Sequence, residues 1–211
     1  LDIISNYEIG ALIKYNGIKE GVENTNYLIY TSKNKFILTL FESRVKKSNI
    51  PFYLNLMRHT NENGVLCPLP ISDKKNKFIN ITKKKEYAIF NFLEGETKKN
   101  WSKNDCYEVG KILGKFHKIN KDFIPKTKNN FGYSSWKVIF KKCKSKINSI
   151  ISQSSNLLEN EINFISSSWP KNLPKGIIHA DLFPDNVFFL KKKLMESLIS
   201  IFLVTIFLHM T

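Results

Sequence analysis

Residues 177–190 read Ile-Ile-His-Ala-Asp-Leu-Phe-Pro-Asp-Asn-Val-Phe-Phe-Leu, and within them His179, Asp181 and Asn186 fall in the pattern H-x-D-x-x-x-x-N. The residue types suit one piece of chemistry. A hydroxyl nucleophile needs a carboxylate that orients it and accepts its proton, and Asp181 supplies one. Five positions on, Asn186 offers a neutral carbonyl oxygen to Mg²⁺, a hard cation that prefers oxygen. The apolar runs on either side read as short strands that pin the ends of the loop so that both side chains face one cleft. His179 reads as a brace for the loop rather than a proton carrier. Pro184-Asp185-Asn186 is also good turn chemistry, and H-x-D alone is common. The complete motif between two strand-like runs is much more specific than either part.

Outward from this loop the chain changes character once. Before Gly95 it is strand-rich. Asn26–Thr31 and Lys35–Phe41 form a predicted hairpin around the turn Ser32-Lys33-Asn34. Ile50-Pro51 opens a helix, with proline in the tolerated first turn, and Asn63-Gly64 closes it. Val65–Ile71, Phe78–Thr82 and Tyr87–Phe92 read as further strands. After Gly95 the period becomes helical. Ser102 and Asp105 have capping-box spacing, and Val109, Ile112, Leu113 and Phe116 recur on one helical face, with His117 expected in the core at its end. Helices are predicted over Trp136–Ile151 and Asn156–Ile165, with a break at Ser166–Pro170. Sheet first and helices second make an α+β chain.

Composition narrows the function classes. With 42% apolar and 13% aromatic residues, the 211-residue chain is expected to fold. Its formal charge of +15 invites a nucleic-acid reading, but Arg44 and Arg58 are the only arginines, and arginine is the usual reader of bases and phosphates. The lysines accompany abundant Asn, Ile and Phe, so a coding bias toward A/T-rich codons accounts for much of the charge. Nucleic acid is therefore not the expected partner. Cys67, Cys106 and Cys143 are widely spaced, which indicates neither a zinc site nor a disulfide framework and fits a reducing cytoplasm. The apolar run 198–208 is shorter than the roughly 20 residues needed to span a bilayer, so no membrane association is expected. The chain begins at Leu1 rather than Met, so a missing N-terminal piece is expected.

The string HADLFPDNVFFL (179–190) resembles the catalytic loop of the aminoglycoside-phosphotransferase-like family, and within it the homoserine kinases. Other segments agree: GIKEGVENTNY (17–27), FILTLFE (36–42), PFYLNLM (51–57), CPLPI (67–71) and AIFNFLEG (88–95). The likeness runs from about Gly10 to Leu194. It implies a protein-kinase-like two-lobed fold, with residues 1–94 as a nucleotide-binding lobe and 95–194 as a helical lobe carrying the catalytic loop. It implies ATP and Mg²⁺ as cofactors and L-homoserine as the small-molecule substrate, with choline, an aminoglycoside or another amino alcohol as the alternative acceptor. Gly17, Gly21, Asn24 and Asn26 are the implied contacts to the phosphates. Phe90, Asn91 and Leu93 are the implied hinge that holds adenine. Asp181 is the implied base and Asn186 a metal ligand. One departure stands out: Thr39 occupies the strand position where such folds usually carry a phosphate-gripping lysine. Arg44, Lys46 and Lys47 lie nearby, and each reads more naturally as solvated surface charge.

The family pattern also calls for a later Ile-Asp-Phe whose aspartate binds the metal, yet no aspartate follows Asp185 and Glu196 is the only later carboxylate. Residues 195–211, back-translated with A/T-leaning codons and regrouped two bases later, read GVIDFYFSCNDFLAYD. The expectation is that 195–211 is out-of-frame translation, leaving an impaired kinase; the rival reading is a decayed, non-catalytic product.

Overall fold

Thr31 closes the first hairpin. Its Oγ1 accepts from the backbone N–H of Lys33 (3.2 Å) and Asn34 (3.1 Å) while its hydroxyl donates to the Ile9 carbonyl (2.5 Å), so a single side chain turns the strand and anchors the segment before the sheet. The computed structural model describes residues 2–18, 24–42, 46–83, 85–124, 132–170, 172, 176–179, 182–189, 199–201 and 208–209. In chain order these form α1 (Asp2–Ser5), β1 (Leu12–Ile18), β2 (Asn24–Thr31), β3 (Lys35–Phe41), α2 (Ile50–Glu62), β4 (Pro70–Ile71), β5 (Asn80–Thr82), β6 (Lys85–Asn91), α3 (Lys103–Ile119), α4 (Tyr133–Ile150), α5 (Ser154–Ser168), β7 (Ile177–Ile178), β8 (Val187–Phe189), β9 (Ile199–Ile201) and β10 (Leu208–His209).

The main sheet is antiparallel throughout, in the order β1-β2-β3-β6, with β4 and β5 sharing the far edge of β6. Its two faces follow the period-2 alternation of the strands. Ile29, Phe36, Leu38, Tyr87 and Ile89 point to one face and pack under Ile4, Tyr7 and Ile9. Ile37, Ala88 and Phe90 point to the other. They share a single buried cluster with Phe52, Leu54, Leu56 and Met57 of α2, Val109 and Phe116 of α3, and Ile177, Val187 and Phe189 of the short strands. The sheet and the loop-bearing strands therefore share one core.

Local chemistry sets the helix ends. Pro51 lies in the first turn of α2, and Gly64, at φ +78°, follows the Asn63 cap; a Cβ there would lie 2.9 Å from Lys115 Nζ, which donates to the Gly64 carbonyl at 2.6 Å. At α3 both halves of the capping box form between Ser102 and Asp105. Lys98 donates to the same carboxylate at 2.5 Å, and together with the Ser102 bonds it holds the Asp105 pKa down at about 2. Thr60 and Asn120, both fully buried, hydrogen-bond between α2 and the end of α3.

Three expectations change. The strand predicted over 65–71 shrinks to Pro70–Ile71, because Pro68 and Pro70 have no N–H to give a ladder. α5 runs through Ser166 to Ser168, with Ser167 Oγ donating back to the Phe164 carbonyl (2.9 Å), and Trp169 ends it in an extended conformation before Pro170. His117, expected in the core, is exposed on α3 beside the Phe116 ring.

Two measurements check this packing. Phe116→Ala should cost about 3–5 kcal/mol in urea unfolding, the usual penalty for emptying a fully buried aromatic site. Asp105 is depressed in the folded chain from an ordinary 3.8 to about 2, so its stabilisation is complete above pH 4 and is lost as pH falls from 4 toward 2. Asp105→Asn should flatten that part of the stability–pH curve, and an unchanged curve would count against the cap.

Candidate active site

The loop predicted to carry the chemistry leaves β7 and enters β8. Ile177 and Val187 sit in the shared core and fix its two ends. His179 is buried. Leu182 packs against the same core, whereas Phe183 turns outward. A 3₁₀ turn over Pro184–Asn186 follows, closed by the Asn186 N–H donating to the Phe183 carbonyl at 2.9 Å. Asn186 therefore stands where the loop becomes β8. Asp181 and Gly21 lie outside the described residues, as does Arg44.

A backbone bridge joins this loop to the segment after β6. Glu96 N–H donates to the Phe189 carbonyl (3.1 Å) and Phe189 N–H to the Glu96 carbonyl (3.0 Å). The buried Phe189 ring meets Trp101 edge-on, with centroids 5.7 Å apart, and Lys98 Nζ lies 4.1 Å above it. Trp101 in turn donates its indole N–H to the Lys98 carbonyl at 3.0 Å. The sequence singled out neither Glu96 nor this pairing, because a bridge between segments ninety-odd residues apart has no local signature.

The sheet face turned toward the loop is arranged in rows across the strands. Leu28, Ile37 and Phe90 are register partners in one row; Ile18, Asn26, Thr39 and Ala88 are partners in the next. The rows lie roughly 6.5–7 Å apart, two residues of strand rise. The second row holds a buried polar pair in apolar surroundings: Thr39 Oγ1 donates to Asn26 Oδ1 at 2.8 Å, with Thr39 3% and Asn26 8% exposed. Asn26 and Thr39 are thus brought together near the start of β2. Asn24 has other work, its Oδ1 accepting the Glu42 N–H at 3.3 Å. The Glu42 carboxyl is held below its ordinary range by Lys85 and Thr25. Gly17 faces Tyr27 across β1 and β2, where an added Cβ would make only ordinary contact.

At the expected hinge the residues separate by role. Phe90 is a ladder residue whose ring lies in the core. Asn91 is committed to the strand edge: its N–H donates to the Leu69 carbonyl at 3.0 Å and its side-chain oxygen accepts the Leu69 N–H at 2.5 Å. Phe92 N–H donates to the Lys35 carbonyl at 3.3 Å. Among the described residues, none hydrogen-bonds to the backbone of Leu93. An apolar row, a neutral polar pair and an open backbone edge suit a nucleotide. Magnesium is different. No cluster of three His, Cys, Asp or Glu side chains occurs among the described residues, and the single amide of Asn186 does not make a site for a hard cation. Lys46 is exposed, and Lys47 reaches Glu86 at 3.6 Å from the surface. The described residues include no helix long and apolar enough to cross a membrane.

Residues 195–211 contribute two short described strands, β9 against β8 and β10 against β7, which extend the loop-bearing strands.

Comparison with known proteins fits this arrangement. The chain is 40% identical over 191 residues to homoserine kinases of Rhizobium etli and Bartonella henselae, an alignment covering 90% of this chain and 60% of each relative. It thus spans about three fifths of the length of the relatives it matches. Among solved structures, spectinomycin phosphotransferase in complex with ADP and spectinomycin superposes with a TM-score of 0.67 at 15% identity, over 93% of this chain and 64% of that one. Amicoumacin kinase in complex with AMP-PNP, Ca²⁺ and Ami gives 0.69 at 14%, over 92% and 60%. A microcompartment-associated aminopropanol kinase gives 0.65 at 12%, over 94% and 66%. At such identities these structures establish the fold, the kinase-like α+β class read from the sequence. The Phosphotransferase enzyme family matches residues 14–196, and the chain belongs to that family.

Proposed function

We propose that this chain carries the nucleotide-binding and catalytic-loop portion of an ATP-dependent kinase that phosphorylates the side-chain hydroxyl of L-homoserine. The observation that carries the reading is the H-x-D-x-x-x-x-N loop mounted between β7 and β8, in a chain 40% identical to homoserine kinases. Adenine lies on the row formed by Leu28, Ile37 and Phe90, against the open backbone of Leu93. Asn91 contributes by tying the hinge to Leu69. The triphosphate runs toward Asn26, with Gly17, Gly21 and Asn24 as its further contacts. Asp181 accepts the proton of the acceptor hydroxyl as that oxygen bonds to the γ-phosphorus, and ADP departs. His179 braces the loop. Asn186 would offer one carboxamide oxygen to a divalent cation, which would neutralise charge on the transferring phosphoryl group.

The acceptor experiment is a ³¹P NMR and ADP-release panel of L-homoserine, choline, an aminoglycoside and aminopropanol. Homoserine should be the preferred acceptor, giving O-phosphohomoserine, and Asp181→Asn should lower its turnover about 10²–10⁴-fold, the usual contribution of a general base. A clear preference for another acceptor would transfer the assignment to that kinase; turnover untouched by Asp181→Asn would remove the base.

A second proposal concerns residues 195–211. Family matching ends at residue 196, and no aspartate follows Asp185 to complete the metal site. We take this tail as out-of-frame translation. A version carrying GVIDFYFSCNDFLAYD in its place should turn over at least about 10²-fold faster, the order lost when one charge-stabilising group is removed. Coding DNA that does not regroup into that string, or equal rates for the two chains, refutes it.

A further inference from the structure

The row Ile18–Asn26–Thr39–Ala88 carries its only polar atoms in the middle, on the sheet face directed at the catalytic loop. A buried amide and hydroxyl on such a face are costly unless each is satisfied. Thr39 satisfies half of the Asn26 amide by donating to Oδ1 at 2.8 Å. That bond also fixes which way the amide points, because the oxygen is turned toward β3 and the Nδ2 hydrogens are turned away from it. Among the described residues nothing accepts from Asn26 Nδ2. β3 at this level offers no cation: Thr39 is 3% exposed, and its partner on β6 is Ala88.

We propose that Thr39 is a positioning residue for Asn26, and that the two together replace a lysine as the grip on the nucleotide's phosphates. The Thr39 hydroxyl locks the Asn26 carboxamide so that its Nδ2–H donates to a phosphate oxygen. The grip is neutral, directional and assembled from two strands, where a lysine would supply a mobile point charge from one. This inference rests on the kinase reading above, because it takes the ligand to be a nucleotide.

The test uses binding rather than turnover, on the full chain, with ATP and adenosine as paired fluorescence-competition probes. Thr39→Val keeps the shape and removes the donor. It should weaken ATP at least tenfold, the range for a hydrogen bond to a charged group, and leave adenosine within about twofold. Thr39→Ser, which restores the hydroxyl, should recover ATP to within about threefold. Equal weakening of ATP and adenosine would mean that Thr39 merely supports the sheet, and would overturn the proposal, as would unchanged ATP affinity in a folded Thr39→Val. Should that variant fail to fold, the Asn26 side-chain amide resonance of the unsubstituted chain decides: a shift with ATP but not adenosine supports the grip, and no shift with ATP defeats it. A chain that binds neither probe defeats the kinase reading itself, and the two failures are thereby told apart.

Discussion

The reciprocal backbone bonds between Glu96 and Phe189 are the constraint on which the site depends. A nucleotide site of this kind is assembled from a sheet face and a loop that lie far apart in the chain, and both must hold one relative position. Shared apolar packing alone would tolerate sliding. Two hydrogen bonds of about 1 kcal/mol each add little to overall stability, but they are directional and set the register. The surroundings enforce them: Phe189 is buried, Trp101 meets it edge-on, and Lys98 spans from its ring to the Asp105 carboxylate that caps α3. The helix start, the hinge exit and the loop exit are therefore one mechanical unit.

The division of charge follows from the same geometry. The lysines that give the chain its +15 make their ion pairs on the surface: Lys35 with Glu94, Lys85 with Glu42 and Lys144 with Glu159, all at 2.7 Å. Exposed pairs of this type contribute little to stability. The face directed at the loop instead holds the uncharged pair of Asn26 and Thr39. The dipoles of that pair are held in place by strand pairing, and salt screens a buried pair far less than the surface field. Among the described residues, these three paired lysines lie on the outside of the molecule.

Much of this was legible in the sequence where short-range rules operate. The β2–β3 hairpin, the proline-led start of α2, its Asn-Gly stop and the Ser102–Asp105 box all follow from residues a few positions apart, and all formed. The proline pair at Pro68 and Pro70 should have argued against a long strand, and the helical serines 166–168 were read as a break although only Pro170 compels one. His117 looked like a core position because it closes the apolar face of α3, but that face is already only half-buried at Leu113 one turn earlier, and His117 is exposed. What the sequence could not disclose was register. That Asn26 faces Thr39, that Asn91 locks Leu69 and that Glu96 meets Phe189 are consequences of long-range pairing, and residue types alone do not encode them.

Register also separates two capacities that a kinase usually displays together. The rows that suit adenine and phosphate are formed by residues 18–39 and 88–93, each secured by strand ladders that owe nothing to the end of the chain. The loop proposed to meet the metal is built otherwise: Asn186 stands on a 3₁₀ turn whose continuation is β8, and β8 pairs with β9 from within 195–211. In a tail with no aspartate, that pairing can complete a strand without supplying a second oxygen ligand. On the proposed reading, nucleotide affinity and phosphoryl transfer are therefore governed by different parts of this chain, and a loss of turnover by itself would say nothing about whether the nucleotide site is intact.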